Sequence, residues 1–146
     1  MKAILIDDEV LALKYLEFQL NLIGGFEIIG AHTDPFEGNR AVENSDVDVV
    51  FLDIHIPELN GIELAEVLLE SNPGLTVVFI TTHGEYAVKA FELNALDYVL
   101  KPIRLDRLKL TVERINQRKN GPAKKSKPTE LWKIKMFGNF RLTEGN

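Results

Sequence analysis

The chain has 146 residues, 45% of them hydrophobic, enough for one globular domain and a shorter extra piece that fold without covalent staples. It has no cysteine, which excludes disulfides, thiol chemistry and cysteine-based metal centres and fits a reducing compartment. The net charge of -5 hides an asymmetry: Met1 to Asn116 carries 9 Lys and Arg against 20 Asp and Glu, while Gln117 to Asn146 carries 8 against 2, so an acidic body that argues against nucleic acid as its partner precedes a basic tail.

In chain order, the apolar run KAILID predicts a first strand that ends on Asp7 and Asp8. Leu11, Tyr15, Leu16 and Leu20 then repeat at helical spacing, FEIIGAH reads as a second strand, and Pro35 to Asn44 as a second helix. A third strand, VDVVFLDI, carries Asp53 near its end before the chain breaks at Pro57 and at Asn60-Gly61. Ile62, Leu64, Ala65, Leu68 and Leu69 make a third helix, and LTVVFITT a fourth strand ending at Thr81. Tyr86, Ala87, Ala90 and Phe91 form a fourth helix, DYVLKP a fifth strand running to Lys101, and Leu105, Leu108, Val112 and Ile115 a fifth helix.

After Ile115 the helical pattern dissolves into NQRKNGPAKKSKPTE, whose Gly, Pro, Ser and basic residues read as linker. The expected organisation is a domain over 1–118, a basic linker over 119–130, and over 131–146 the start of a truncated second domain. LWKIKMFGNFRLTEGN alternates like a β-hairpin turning at Gly138-Asn139, and a lone hairpin of that size is marginal in water. No apolar run is long enough to cross a bilayer and the amino terminus opens directly into strand-like sequence, so a soluble, cytoplasmic protein without a membrane partner is expected.

Strands apolar on both faces that alternate with helices call for a doubly wound, five-stranded parallel α/β sheet with right-handed crossovers. Ligands of such sheets bind outside the carboxyl ends of the strands. There the sequence collects Asp7 and Asp8 after strand one and, if strand three is its neighbour, Asp53 beside them. Three carboxylates in one crevice raise one another's pKa unless a cation sits among them, and a hard divalent ion, Mg2+, suits oxygen donors of this kind. The hydroxyl of Thr81 and the ammonium of Lys101 close two further strands. A metal-binding acidic cluster, a hydroxyl and a lysine together suit a phosphoryl group, which makes Asp53 a nucleophile that can be phosphorylated. Any one of these residues alone is ordinarily structural, since Asp favours turns and caps. Their conjunction at the ends of different strands, in a consistent register, is what points to a phosphoryl site.

The DD pair, the LDIHIPELNGIEL block around Asp53, FITT and DYVLKP together resemble the receiver domain of bacterial two-component response regulators, over Met1 to about Arg118. The resemblance implies a flavodoxin-like (βα)5 fold with strand order 2-1-3-4-5 and a sensor histidine kinase as phosphodonor. It implies Asp53 as phospho-acceptor, with Asp7, Asp8, Asp53 and the backbone carbonyl of His55 around Mg2+. Thr81 resembles the switch hydroxyl, with Thr82 beside it as a second hydroxyl that the register disfavours, and Tyr98 resembles the switch aromatic. Lys101 resembles the phosphate-pairing lysine, joined to Pro102 by a cis peptide bond. Phosphorylation is then expected to reshape the helix 4/strand 5/helix 5 face and to favour a homodimer through it. The domain would catalyse only its own phosphorylation and dephosphorylation, without being an enzyme on other substrates.

His55 and His83 depart from the commonest pattern at positions that flank the phosphoryl group in the family. They are either loop residues facing solvent or a pH-sensitive gate on hydrolysis. The tail WKIKMFGNFRL resembles the opening strands of a winged-helix output domain of the antibiotic regulatory protein type, which would make DNA the partner of the missing part. Competing functions fit less well. An aspartyl-phosphate phosphatase of the haloacid dehalogenase type wants an aspartate where His55 stands, a dinucleotide site wants a Gly-rich turn where IDDEVLAL stands, and a phosphate-free docking module has no use for the full residue set.

Overall fold

The computed structural model describes residues 1–120. Five strands and five helices alternate through them: β1 (Lys2–Ile6), α1 (Val10–Ile23), β2 (Glu27–His32), α2 (Pro35–Glu43), β3 (Val49–Leu52), α3 (Gly61–Ser71), β4 (Thr76–Thr81), α4 (Ala87–Glu92), β5 (Asp97–Leu100) and α5 (Leu105–Asn120). All strand pairs are parallel, in the order β2-β1-β3-β4-β5, so the expected doubly wound sheet and its topology are both present.

Period-two alternation along the inner strands splits their side chains between two cores. Ile4, Ile6, Val50, Leu52, Val77 and Phe79 face one side, packed with Leu64, Ala65 and Leu68 of α3, Val42 of α2 and Ala90 of α4. Ala3, Leu5, Val49, Phe51, Val78 and Ile80 face the other, packed with Leu13, Leu16 and Leu20 of α1 and Leu108, Val112 and Ile115 of α5. Local chemistry starts two of the helices: Asp34 accepts the Phe36 N–H at 2.8 Å ahead of Pro35 in the first turn of α2, and Asn60 accepts the Ile62 N–H at 2.6 Å to begin α3.

Two expectations shift. In α1 the inward face is Leu13, Leu16, Gln19 and Leu20, whereas Leu11 is 80% and Tyr15 51% exposed. This helix is apolar almost all round, so spacing alone did not select its face; the docking surface of the sheet did, and Gln19 is accommodated because its Nε2 donates to the Ile103 carbonyl at 3.3 Å. The second shift concerns α5, which does not dissolve after Ile115 but runs to Asn120, with Arg118 and Lys119 in its last turn, where positive charge complements the helix dipole. The expected linker therefore begins inside α5; the remainder of it and the expected hairpin over 131–146 lie outside the described residues. Among the described residues, no helix is long and apolar enough to cross a membrane.

Candidate functional site

Pairing of β1 with β3 in the register Ile6↔Leu52 brings the next residue of each strand, Asp7 and Asp53, side by side at the carboxyl edge. The Asp53 N–H donates to the Ile6 carbonyl at 3.0 Å, which fixes that juxtaposition in the backbone. Asp7 and Asp53 are only 7% and 6% exposed, and Asp8 stands at the surface beside them. One oxygen from each of the three carboxylates falls within 4.8 Å of the others. The donor set is made of hard oxygens, two of them largely withdrawn from water, and it fits Mg2+.

On the far side of β4, Thr81 pairs with Leu100, and the Lys101 N–H donates to the Thr81 carbonyl at 2.8 Å. Lys101 then reaches back across the sheet edge: its Nζ donates to Asp7 Oδ2 at 2.7 Å and to Asp53 Oδ2 at 3.3 Å, with Glu9 Oε1 at 3.9 Å. Burial pulls the ammonium's pKa down, but the hydrogen bond it donates to Asp7 and the charges of Asp53 and Asp7 outweigh it, so the net shift is upward and Lys101 stays charged. The Lys101-Pro102 peptide bond is cis.

The loop between β3 and α3 is built around Asp53. Its Oδ1 accepts the His55 N–H at 3.3 Å, and the Ile54 carbonyl accepts the N–H groups of Ile56 at 3.1 Å and Gly61 at 2.8 Å. A Cβ on Gly61 would lie 2.2 Å from the Asp53 carbonyl oxygen and 2.6 Å from the Ile54 Cα, so this turn closes only over glycine. The loop after β4 is held in a similar manner: Thr81, fully buried, accepts the His83 N–H on its Oγ1 at 3.3 Å, while Thr82 is exposed. The Tyr98 hydroxyl, on β5, donates to the His83 carbonyl, and burial is the main cause that pushes its pKa up.

The structure thus brings Asp7, Asp8, Asp53 and Lys101 together, bonds Thr81 at the end of β4 and Tyr98 on β5 to His83 in the loop after β4, and stacks the rings of His55 and His83 at 3.7 Å between centroids. Sequence reasoning missed a second polar cluster on the β5/α5 side. Asp97, 1% exposed, is gripped by Arg107 through Nη1–Oδ2 at 3.0 Å and Nη2–Oδ1 at 2.9 Å, by the Thr111 hydroxyl at 2.7 Å and by Arg114 at 3.1 Å. Burial raises its pKa, but the hydrogen bonds from Arg107 and Thr111 prevail and the carboxyl ends below its ordinary value. The available sign was an aspartate opening a strand with Arg107, Thr111 and Arg114 at helical spacing on one face.

Residues 3–113 match the family described as "Response regulator receiver domain". Over 119 residues the chain is 41% identical to the transcriptional regulatory protein LytR of Staphylococcus aureus, covering 82% of this chain and 48% of that protein; the chain therefore spans about half the length of the curated relatives it matches. Among solved structures, the response regulatory domain of protein mrkE from Klebsiella pneumoniae superposes with a TM-score of 0.75 at 37% identity, over 80% of this chain and 96% of that one. CheY in the CheX-CheY-BeF3-Mg+2 complex from Borrelia burgdorferi gives 0.74 at 25% identity, over 80% and 89%.

Proposed function

Because the chain belongs to the response regulator receiver family, we propose that Asp53 accepts a phosphoryl group from a sensor histidine kinase, and that loading it resets the α4/β5/α5 face to control a DNA-binding output domain. The observation that carries this reading is the convergence on one sheet edge of a buried acceptor carboxylate, two further carboxylates and the Lys101 ammonium. In the transfer, an Asp53 carboxylate oxygen forms a bond to phosphorus as the bond from phosphorus to the donor imidazole breaks, and the electron pair stays with that imidazole. Asp7, Asp8, Asp53 and the His55 carbonyl would hold Mg2+, which when bound supplies positive charge to the phosphoryl oxygens. A relative seen with both BeF3 and Mg2+ supports that assignment.

Lys101 already contacts the acceptor at 3.3 Å, and it would follow the added charge from carboxylate to phosphoryl oxygen. The Thr81 hydroxyl would then be drawn from its contact with His83 toward the new oxygens. That movement acts on the loop to which Tyr98 is bonded, and Tyr98 lies on β5 at the output face. A homodimer through that face, transcription control and a cytoplasmic location follow from the same reading, as does the absence of activity on separate substrates. The winged-helix identity of the output domain rests only on WKIKMFGNFRL. His55 and His83 stand at positions that in the family flank the phosphoryl group, and this reading gives them a part in the rate of hydrolysis; an unchanged phosphoryl lifetime in the double His→Ala variant would remove that part.

Intact mass after incubation with acetyl phosphate and Mg2+ tests the whole. A single phosphoryl unit that requires magnesium and is absent in Asp53→Asn is the expected result. No gain in the wild type, together with no binding of beryllium fluoride, would sink the reading and favour a docking module that takes no phosphate.

A further inference from the structure

Beside the acidic cluster lies a second set of donors of different chemistry. His55, in the loop after β3, and His83, in the loop after β4, are 28 residues apart in sequence yet stack their rings at 3.7 Å with a 38° tilt. Glu85 Oε2 stands 3.6 Å from His83 Nδ1, and one donor atom from each of the three residues falls within 4.8 Å of the others. Tyr86 packs edge-on against His55 at 5.8 Å, which backs one side of the group.

We propose that the side chains of His55, His83 and Glu85 form a binding site for a divalent transition cation of the Zn2+ class, separate from the oxygen-only set of Asp7, Asp8, Asp53 and the His55 backbone carbonyl. The chemistry separates the two sites. Two imidazoles and one carboxylate are a donor set that zinc uses with a fourth position left to water, whereas Mg2+ prefers oxygens. Zinc bonds of about 2.0–2.2 Å place neighbouring donors roughly 3.3–3.6 Å apart in a tetrahedral arrangement. The His83–Glu85 separation already falls in that range, and the remaining approach is made by His55 and Glu85, whose side chains are exposed and free to change rotamer.

Occupancy would tie the loop after β3 to the loop after β4 across the mouth of Asp53. It would also fix His83, whose backbone carbonyl receives the Tyr98 hydroxyl. The ion is then placed to hold the two loops in one arrangement. Binding itself does not depend on phosphorylation; a longer or shorter phosphoryl lifetime under zinc rests on the function proposed above.

The test is calorimetric titration of the untagged full chain with Zn2+ in saturating Mg2+, for the wild type, His55→Ala, His83→Ala, Glu85→Gln and Asp8→Asn. The expected result is one equivalent bound by the wild type and by Asp8→Asn. Affinity should fall on the order of 10- to 100-fold or more in each histidine variant, because losing a direct ligand costs at least as much as losing its supporting partner. Co2+ in place of zinc should give the visible spectrum of a four-coordinate nitrogen–oxygen site that disappears in His83→Ala. No zinc uptake by the wild type overturns the proposal. So does uptake that survives both histidine changes and is lost in Asp8→Asn, because the ion would then occupy the acidic cluster. Neither result touches the assignment of Asp53, which the mass measurement tests separately.

Discussion

Arg107 grips Asp97 with two parallel hydrogen bonds, Nη1–Oδ2 at 3.0 Å and Nη2–Oδ1 at 2.9 Å, and so fastens the first residue of β5 to the first turn of α5. Removing one partner of a buried ion pair leaves a charge without compensation, typically at about 3–5 kcal/mol. Arg114 and Thr111 remain on the same carboxylate, so Arg107→Ala should cost less, about 2–3 kcal/mol by urea denaturation at pH 7. Because the folded pKa of Asp97 lies below its ordinary value of 3.8, its stabilisation is complete above that value and is lost as pH falls through the folded one. The gap between wild type and Asp97→Asn should therefore be constant from pH 7 to about 5 and close in stronger acid. A gap that persists unchanged into acid would show that packing, not charge, holds this corner.

Lys101→Met should destabilise the protein in the absence of divalent ions by about 1–3 kcal/mol, since Asp7 and Asp53 lose the ammonium between them. The folded pKa of Lys101 is raised, so its contribution is complete below the ordinary value of 10.5 and disappears as pH rises through the folded value. Denaturation midpoints of wild type and variant should thus converge only in strong alkali. Convergence already near neutral pH would contradict the charge assignment.

Asp8 is exposed and enters no ion pair or hydrogen bond among the described residues, yet lies within reach of Asp7 and Asp53. Asp8→Asn should leave the metal-free protein as stable as the wild type or slightly more so, because one repulsive charge is gone. If the cluster holds Mg2+ as proposed, the wild type should gain in Tm with the ion by an amount set by RT ln(1 + [L]/Kd), and Asp8→Asn should weaken or abolish that gain. Equal magnesium responses in the two proteins would remove Asp8 from the binding set.

Gly61→Ala places a methyl group against the Asp53 carbonyl and the Ile54 Cα, both backbone, so the loop itself must move. A loss of about 1–3 kcal/mol is expected, with slower labelling of Asp53 by acetyl phosphate even under conditions where the variant is fully folded. Labelling at the wild-type rate would show that this turn does not position the acceptor.

The parallel sheet was legible because β3 and β4 read as unbroken apolar runs, VVFL and TVVFIT, bounded by turn residues. Asp7, Asp53, Thr81 and Lys101 were legible as a group for one reason: each directly ends or follows a strand, and parallel pairing carries such positions to a common edge. The inward face of α1 was not, because Leu11, Tyr15 and Phe18 compete with Leu13 and Leu16 at nearly equal hydrophobicity, and only contact with the sheet decides between them. The Asp97 cluster was hidden because a buried aspartate and an exposed one look alike until its arginines are seen to fold back over it.

The division of β3 between two cores has a consequence for the gene. Val49 and Phe51 belong to one layer and Val50 and Leu52 to the other, so the loss or gain of a single codon within this strand would exchange the layers and invert the side on which Asp53 emerges. A one-residue change of length inside this strand is therefore expected to be far more damaging than the same change in an exposed loop, because parity and not length is what it breaks.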